Sequence, residues 1–170
     1  MREARVQVAR LNRKKNPGKS YIRQASRRNS KIVNQLNTRR SKRNKQRAAY
    51  LQNKISEFSS GLINGINSEF DRDSARLKEE YDRDVDRVKR NLKGKRKQEA
   101  LRRLKAAYDK RIDTLNSVKQ RDLDRANDRI AATKDANNKL YKKISERESS
   151  DIKIIKDRLR KALADLRDRS

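Results

Sequence analysis

This chain of 170 residues contains no Cys, His or Trp, and it has only one Pro and four Gly. Without Cys it has no disulfides, thiolate nucleophiles or Cys-based zinc sites, and without His it lacks the commonest metal ligand and the usual general base. Most enzyme chemistries are thereby disfavoured, and we expect no metal, cofactor or small-molecule substrate. The scarcity of Pro and Gly also removes the turns that β-hairpins require, so helix is the expected ordered state.

Apolar residues are scarce as well. They make up 32% of the chain against 43% charged residues, there are two Phe, and the mean hydropathy is −1.33. A conventional globular core is not expected from this composition. No apolar run is long enough for a transmembrane helix or the core of a signal peptide. We therefore predict a protein that is not secreted and that resides in the cytoplasm, a nucleoid or the interior of a virion.

Positive charge dominates what is present. The formal net charge is +27, and the first fifty residues hold 17 Lys or Arg with a single acid, Glu3. Such a segment requires a polyanionic partner, and nucleic acid fits this charge density better than an anionic membrane surface does. Each cation can neutralise one phosphate without reading sequence. The candidate nucleic-acid-binding residues are Arg10, Arg13, Lys14, Lys15, Arg23, Arg27, Arg28, Arg39, Arg40, Lys42, Arg43, Lys45 and Arg47. The alternative is a solvated, disordered tail.

A second basic cluster lies near the middle of the chain, where Glu99 is the one nearby acid. Its members are Lys89, Arg90, Lys93, Lys95, Arg96 and Lys97. Gly94 follows the last apolar position of a long helical pattern, as glycines at helix C-termini do, so we expect a chain reversal there with the cluster at its tip. The tip would contact nucleic acid or an acidic protein surface. The alternatives are a charged loop or one uninterrupted helix.

The sequence predicts a basic arm over residues 1–47 that contains short helical pieces. Val6, Ala9 and Leu11 suggest a first helix that ends at Asn16-Pro17-Gly18, which is a strong turn signal. A thin apolar stripe follows, with a gap at Asn29. Residues 37–47 are so polar that we expect them to bury no face, and to be helical only against phosphates or else extended.

Long amphipathic helices are predicted after the arm. Apolar residues recur at threes and fours, which is the helical period, and Phe70 and Tyr81 head two similar segments eleven residues apart. The predicted segments are a helix over 48–93 with a possible break at 59–68, a second helix over 96–147 and a C-terminal helix over 151–168. Gly61 and Gly65 either break the first helix or let a partner helix approach closely.

These patterns predict an all-α fold, an elongated helical hairpin or coiled-coil-like rods with a basic N-terminal arm. Because a single hairpin buries only a narrow seam, we expect self-association or docking into a larger assembly. Our hypothesis is a non-enzymatic structural protein of a nucleoprotein assembly, and among such settings we favour a virus or phage virion with packaged genome. The main alternative is a coiled-coil adaptor that binds acidic protein surfaces. A membrane-surface helix comes third, because the apolar face lacks Trp and is poor in Phe.

Overall fold

The computed structural model describes all 170 residues as three α-helices without strands, and 94% of the chain is helical. They are α1 (Arg2–Arg13), α2 (Lys19–Asn91) and α3 (Gly94–Asp168). The long helices α2 and α3 pack against each other, which confirms the predicted all-α helical hairpin. The chain divides into two compact units. Unit 1 consists of Met1–Gln52 and Ala136–Ser170, and unit 2 of Asn53–Asp135.

The hairpin turns at the expected glycine. Helix α2 ends at Asn91, and Gly94 opens α3 with φ at +58°, a left-handed conformation that glycine adopts without steric cost. Away from the turn, the ring of Tyr81 on α2 lies 4.6 Å from the ring of Tyr108 on α3, measured between centroids. The guanidinium of Arg111 lies 3.2 Å from a carboxylate oxygen of Glu80. These contacts show that α3 runs back along α2.

The predicted helix boundaries differ from the structure. Helix α2 continues through 59–68, and α3 continues through residues 148–150 without a restart. Two glycines in a helix interior cost about 1 kcal/mol each relative to Ala, which packing along a long helix pair outweighs. Within the chain no helix packs closely against these glycines, because a Cβ placed at Gly61 or Gly65 would lie in open space.

In unit 1 the predicted basic arm is part of the core. Helix α1 packs onto α2 and α3, and its Leu11 is fully buried with Ala25, Ala162 and Leu166. Ala4 joins a second cluster with Ile32, Ile155 and Leu159. Residues 1–47 therefore contain the predicted first helix, now α1, the turn at Asn16-Pro17-Gly18 and the first part of α2, and they do not form a separate arm.

The buried face of α1 also differs from the prediction. Ala4, Gln7 and Leu11 are buried, whereas Val6 is 61% exposed. Gln7 donates to the side-chain oxygen of Asn29 at 3.3 Å, and Asn29 donates to the carbonyl of Leu159 at 3.2 Å. The gap in the apolar stripe at Asn29 is thus filled by a buried polar bridge that joins all three helices, since buried amides need such partners.

The C-terminal end of α1 is held by the end of α3. The guanidinium of Arg169 donates to the carbonyls of Asn12 and Leu11, at 3.0 and 3.5 Å. These carbonyls are at the negative end of the α1 dipole, where a cation is favourable. Pro17 in the connecting turn is buried as well.

Unit 2 is a pair of helices with a thinner seam. Leu77 and Ala126 are its buried apolar residues, and the other apolar positions along the seam are mostly half-buried. A cation–π contact also joins the two helices of this unit, in which the Lys119 ammonium lies 4.3 Å from the ring centroid of Phe70.

Candidate nucleic-acid interface

Charge is distributed unequally between the two units. Unit 1 contains 28 Lys or Arg against 7 Asp or Glu, a formal net of +21, whereas unit 2 contains 22 against 16, a net of +6. Within residues 1–52 the only acid is Glu3, so the other six acids of unit 1 all lie on α3. The folded α1 and the first part of α2 therefore form a surface with almost no negative charge.

Eleven of the thirteen candidate residues in this region are exposed. They are Arg10, Arg13, Lys14, Lys15, Arg23, Arg27, Arg28, Arg39, Lys42, Arg43 and Lys45. The ammonium of Lys14 lies 5.5 Å from the ring centroid of Tyr21, which itself packs against the Leu11 cluster. Arg40 and Arg47 are half-buried, because they face α3.

A polar layer between α2 and α3 of unit 1 engages these half-buried arginines. One nitrogen of Arg40 donates to the backbone carbonyl and the hydroxyl of Ser145, at 3.0 and 3.1 Å. Arg47 donates to a carboxylate oxygen of Glu148 at 3.0 Å, and Arg43 lies 3.6 Å from the same oxygen. Residues 37–47 thus pack through polar side chains, contrary to the expectation that this segment buries no face.

The same layer contains Asn44 between the arginines. Its amide donates to the Ser145 hydroxyl at 3.3 Å, and its backbone carbonyl accepts from the hydroxyl of Tyr141 at 3.1 Å. Four buried atoms of the layer have no hydrogen-bond partner within the chain: Arg40 Nε, Asn44 Oδ1, Arg47 Nη1 and Glu148 Oε2. The layer is therefore polar but incompletely satisfied, which makes it less stabilising than the apolar clusters.

Electrostatics in the polar layer favour the ionised carboxylate. The hydrogen bond from Arg47 is the largest effect that lowers the pKa of Glu148, and the charges of Arg47, Arg43 and Arg40 lower it further, while partial burial acts in the opposite direction. Glu148 is thus charged at neutral pH, and it holds Arg43 and Arg47 against α3.

Exposed cations of α1 and α2 meet across a groove in unit 1. Arg2 and Arg10 line it from α1, and Arg27, Arg28 and Lys31 line it from α2. Three of these were sequence candidates, but nothing in the sequence indicated that the two helices would present them to one another. The detectable signal was the turn at Asn16-Pro17-Gly18, which predicts a reversal but not which helix faces meet.

The second basic cluster lies at the turn of unit 2, as predicted. Lys89, Arg90, Lys93, Lys95 and Arg96 are exposed there, and Lys97 is half-buried. Between residues 89 and 105 there are nine Lys or Arg and one acid. The remainder of unit 2 contains 13 Lys or Arg against 15 Asp or Glu, so the net positive charge of unit 2 comes from residues 89–105 at the tip.

These features define an all-α protein with two long paired helices, on which a short, cationic third helix packs within unit 1. No protein-family model matches the chain, and neither does any curated protein or solved structure. No group of three or more acidic side chains is arranged to hold a metal ion, and none of the helices is long and apolar enough to span a membrane.

Proposed function

We propose that this chain is a non-enzymatic structural protein of a nucleoprotein assembly, which binds nucleic acid without sequence preference through unit 1. The observation that supports this function best is the separation of charge. Unit 1 has a formal net charge of +21, and the acids that accompany it lie on α3 except for Glu3. Neutralising phosphates releases condensed counterions, which is the main source of affinity in non-specific binding.

The residue types favour phosphate over protein carboxylates. Among the 17 cations of residues 1–52, eleven are Arg, whose planar guanidinium contacts phosphate oxygens in pairs. Most are exposed on regular helices, so their spacing is fixed before a ligand arrives. A virus or phage particle as the setting stays a prediction from composition.

Assembly through the helices is the second part of the proposal. Most of the apolar seam in unit 2 is half-buried, and unit 2 outside its tip is close to neutral. A neutral, half-covered seam supports packing against further helices, since neither charge repulsion nor a closed core opposes it. The alternative function, a coiled-coil adaptor for acidic proteins, would use the same seam and replace nucleic acid with a protein partner.

The test is binding of the full chain to a duplex of random sequence, measured by fluorescence anisotropy between about 50 and 200 mM salt. We expect log affinity to fall linearly with log salt, with a slope of about −5 or steeper, as for six or more phosphate contacts. Deleting residues 1–47 would remove buried parts of the unit 1 core, so exposed residues are substituted instead.

Two variants that each lose six positive charges locate the binding surface. The unit 1 variant changes to Gln the residues Arg10, Arg13, Arg23, Arg27, Arg28 and Arg39. The matched unit 2 variant changes to Gln the residues Arg72, Arg76, Arg83, Arg121, Arg125 and Arg129, which lie outside the basic tip. We expect the salt slope to collapse in the first variant and to change little in the second. Absence of binding by the unsubstituted chain, together with capture of an acidic protein that survives nuclease, would favour the adaptor.

A further inference from the structure

The groove between α1 and α2 of unit 1 is an open cleft of about 670 Å³ with cations on both walls. Arg2 and Arg10 stand on the α1 side, and Arg27, Arg28 and Lys31 stand on the α2 side. Glu3 is the only acid that lines it. This arrangement exists only in the folded unit, because one wall comes from α1 and the other from α2, and the turn at Asn16-Pro17-Gly18 brings the two helices together.

The five cations of the groove have no side-chain partner within the chain. All are exposed, and none makes an ion pair or a side-chain hydrogen bond within the chain. In this they differ from Arg40, Arg43 and Arg47, whose guanidinium groups are engaged by Ser145 or Glu148. Bringing unpaired cations together costs free energy through repulsion, which an anion in the groove would relieve.

The groove is also held in shape before any ligand binds. Its wall residue Gln7 donates to Asn29, which in turn donates to the carbonyl of Leu159. Leu11 is fully buried one turn further along α1, and Arg169 holds the helix end. A pre-organised site loses less entropy on binding than a flexible arm does.

The geometry points to the phosphodiester backbone of a single nucleic-acid strand as the ligand of this groove. This inference rests on the proposed function and specifies its site. Arg2 and Arg10 are two turns apart, about 12 Å along α1, so cations follow the groove as a series and not as one focus. A linear series of cations fits a row of phosphates better than it fits one isolated anion.

The remaining lining residues favour backbone contact over base contact. Besides Val6, Ile32 and the buried Gln7, the groove is lined by the amides of Gln24 and Gln35, which can donate to phosphate or sugar oxygens. No aromatic side chain lines it, so there is no platform on which bases could stack. Binding in the groove is therefore independent of sequence.

The test compares two full-length variants that lose the same charge from the same residue types. The groove variant combines Arg10→Gln, Arg27→Gln and Lys31→Gln. The matched control combines Arg147→Gln, Arg160→Gln and Lys153→Gln, three exposed positions of α3 in unit 1. Binding of a single-stranded oligonucleotide of mixed sequence is measured by anisotropy over a salt series, and circular dichroism and thermal melts verify that both variants remain folded.

For a single strand, loss of three phosphate contacts should make the salt slope shallower by about 2 and weaken affinity on the order of 30-fold near 200 mM salt. We expect this in the groove variant and a change of less than about 3-fold in the control, which touches no phosphate. Conversely, Glu3→Gln should strengthen binding, because it removes the one acid from the groove.

The possible results distinguish an error about the groove as the binding site from an error about nucleic-acid binding as the function. Equal losses in the groove variant and the control would overturn the groove while leaving a protein that binds nucleic acid through general charge. If the unsubstituted chain binds neither the single strand nor the duplex, the proposed function and the groove are overturned together; if it binds only the duplex, the groove alone is overturned. A larger loss in the groove variant, with Glu3→Gln binding more tightly, supports both.

Discussion

Units 1 and 2 are built from the same two long helices, yet they bury their side chains differently. Of the ten buried apolar residues of the chain, eight lie in unit 1 and two, Leu77 and Ala126, lie in unit 2. The difference is the twelve-residue helix α1, which covers the seam between α2 and α3 in unit 1. A helix pair leaves each seam residue open on one side, whereas a third helix closes the core.

The more closely packed unit is also the more highly charged one. Unit 1 combines its closed core with a formal net charge of +21, so its folding brings cations of α1 and α2 close together. Such repulsion lowers the stability of a compact state unless counterions or a polyanion screen it. The apolar clusters at Leu11 and Leu159 therefore hold together a surface that is poised to bind anions.

The largest expected effect comes from opening the unit 1 core. Leu159→Ala removes a side chain that is 1% exposed, and we expect it to lower the free energy of unfolding by about 3–4 kcal/mol through lost burial and a residual cavity. Leu104→Ala, at a half-buried position of the unit 2 seam, should cost only about 1 kcal/mol. Chemical denaturation, with hydrogen exchange to resolve the two units, measures both changes.

Ile154→Ala provides the control for that experiment, because this neighbouring residue on α3 is 46% exposed and should change stability little. If Leu159→Ala and Leu104→Ala lowered the free energy of unfolding by similar amounts, α1 would not close the core of unit 1 in solution.

A smaller effect is expected in the polar layer. Glu148→Gln removes the carboxylate that accepts from Arg47, and we expect a loss of about 1–2 kcal/mol at neutral pH, since the pair is only partly buried. Because folding lowers the pKa of Glu148, its stabilising effect is complete above the ordinary value of about 4.3 and is lost as pH falls through the lower folded value.

Urea unfolding of the Glu148→Gln variant and the unsubstituted chain between about pH 7 and pH 3 tests this linkage. The difference between the two proteins should shrink as the pH approaches 3. Glu146→Gln on the same helix is the control, because Glu146 is exposed and pairs only with Lys142 at 4.0 Å. A pH-independent difference would mean that Glu148 stabilises unit 1 by packing and not by charge.

The hairpin could be predicted because its signals are local. Apolar residues recur at the helical period on both sides of the turn, and Gly94 with its flanking lysines marks the end of α2. The docking of α1 could not be predicted. Ala4, Val8 and Leu11 recur at the helical period and mark an apolar face, but periodicity does not say which faces of α2 and α3 that face packs against.

The candidate binding residues were identifiable as a class but not individually. Charge density alone indicates a polyanion-binding region, and it treats Arg27 and Arg47 alike. Arg47 pairs with Glu148, 101 residues away, and only the packing of α2 against α3 reveals that contact. Exposed Arg27 instead faces the groove beneath α1. Long-range pairing of this kind depends on which helix faces meet, which local patterns do not specify.

The smallest expected effects concern the glycines of unit 2, and they have opposite signs. Gly94→Ala places a Cβ on a residue with φ of +58°, so we expect a loss of about 1 kcal/mol. Gly61→Ala puts the same methyl into open space within α2, where Ala is favoured over Gly by about 1 kcal/mol, so unit 2 should become more stable. Thermal melts with hydrogen exchange of unit 2 measure both variants. If Gly61→Ala also destabilised unit 2, α2 would be bent or frayed at 59–68, and unit 2 would be looser than a continuous helix pair.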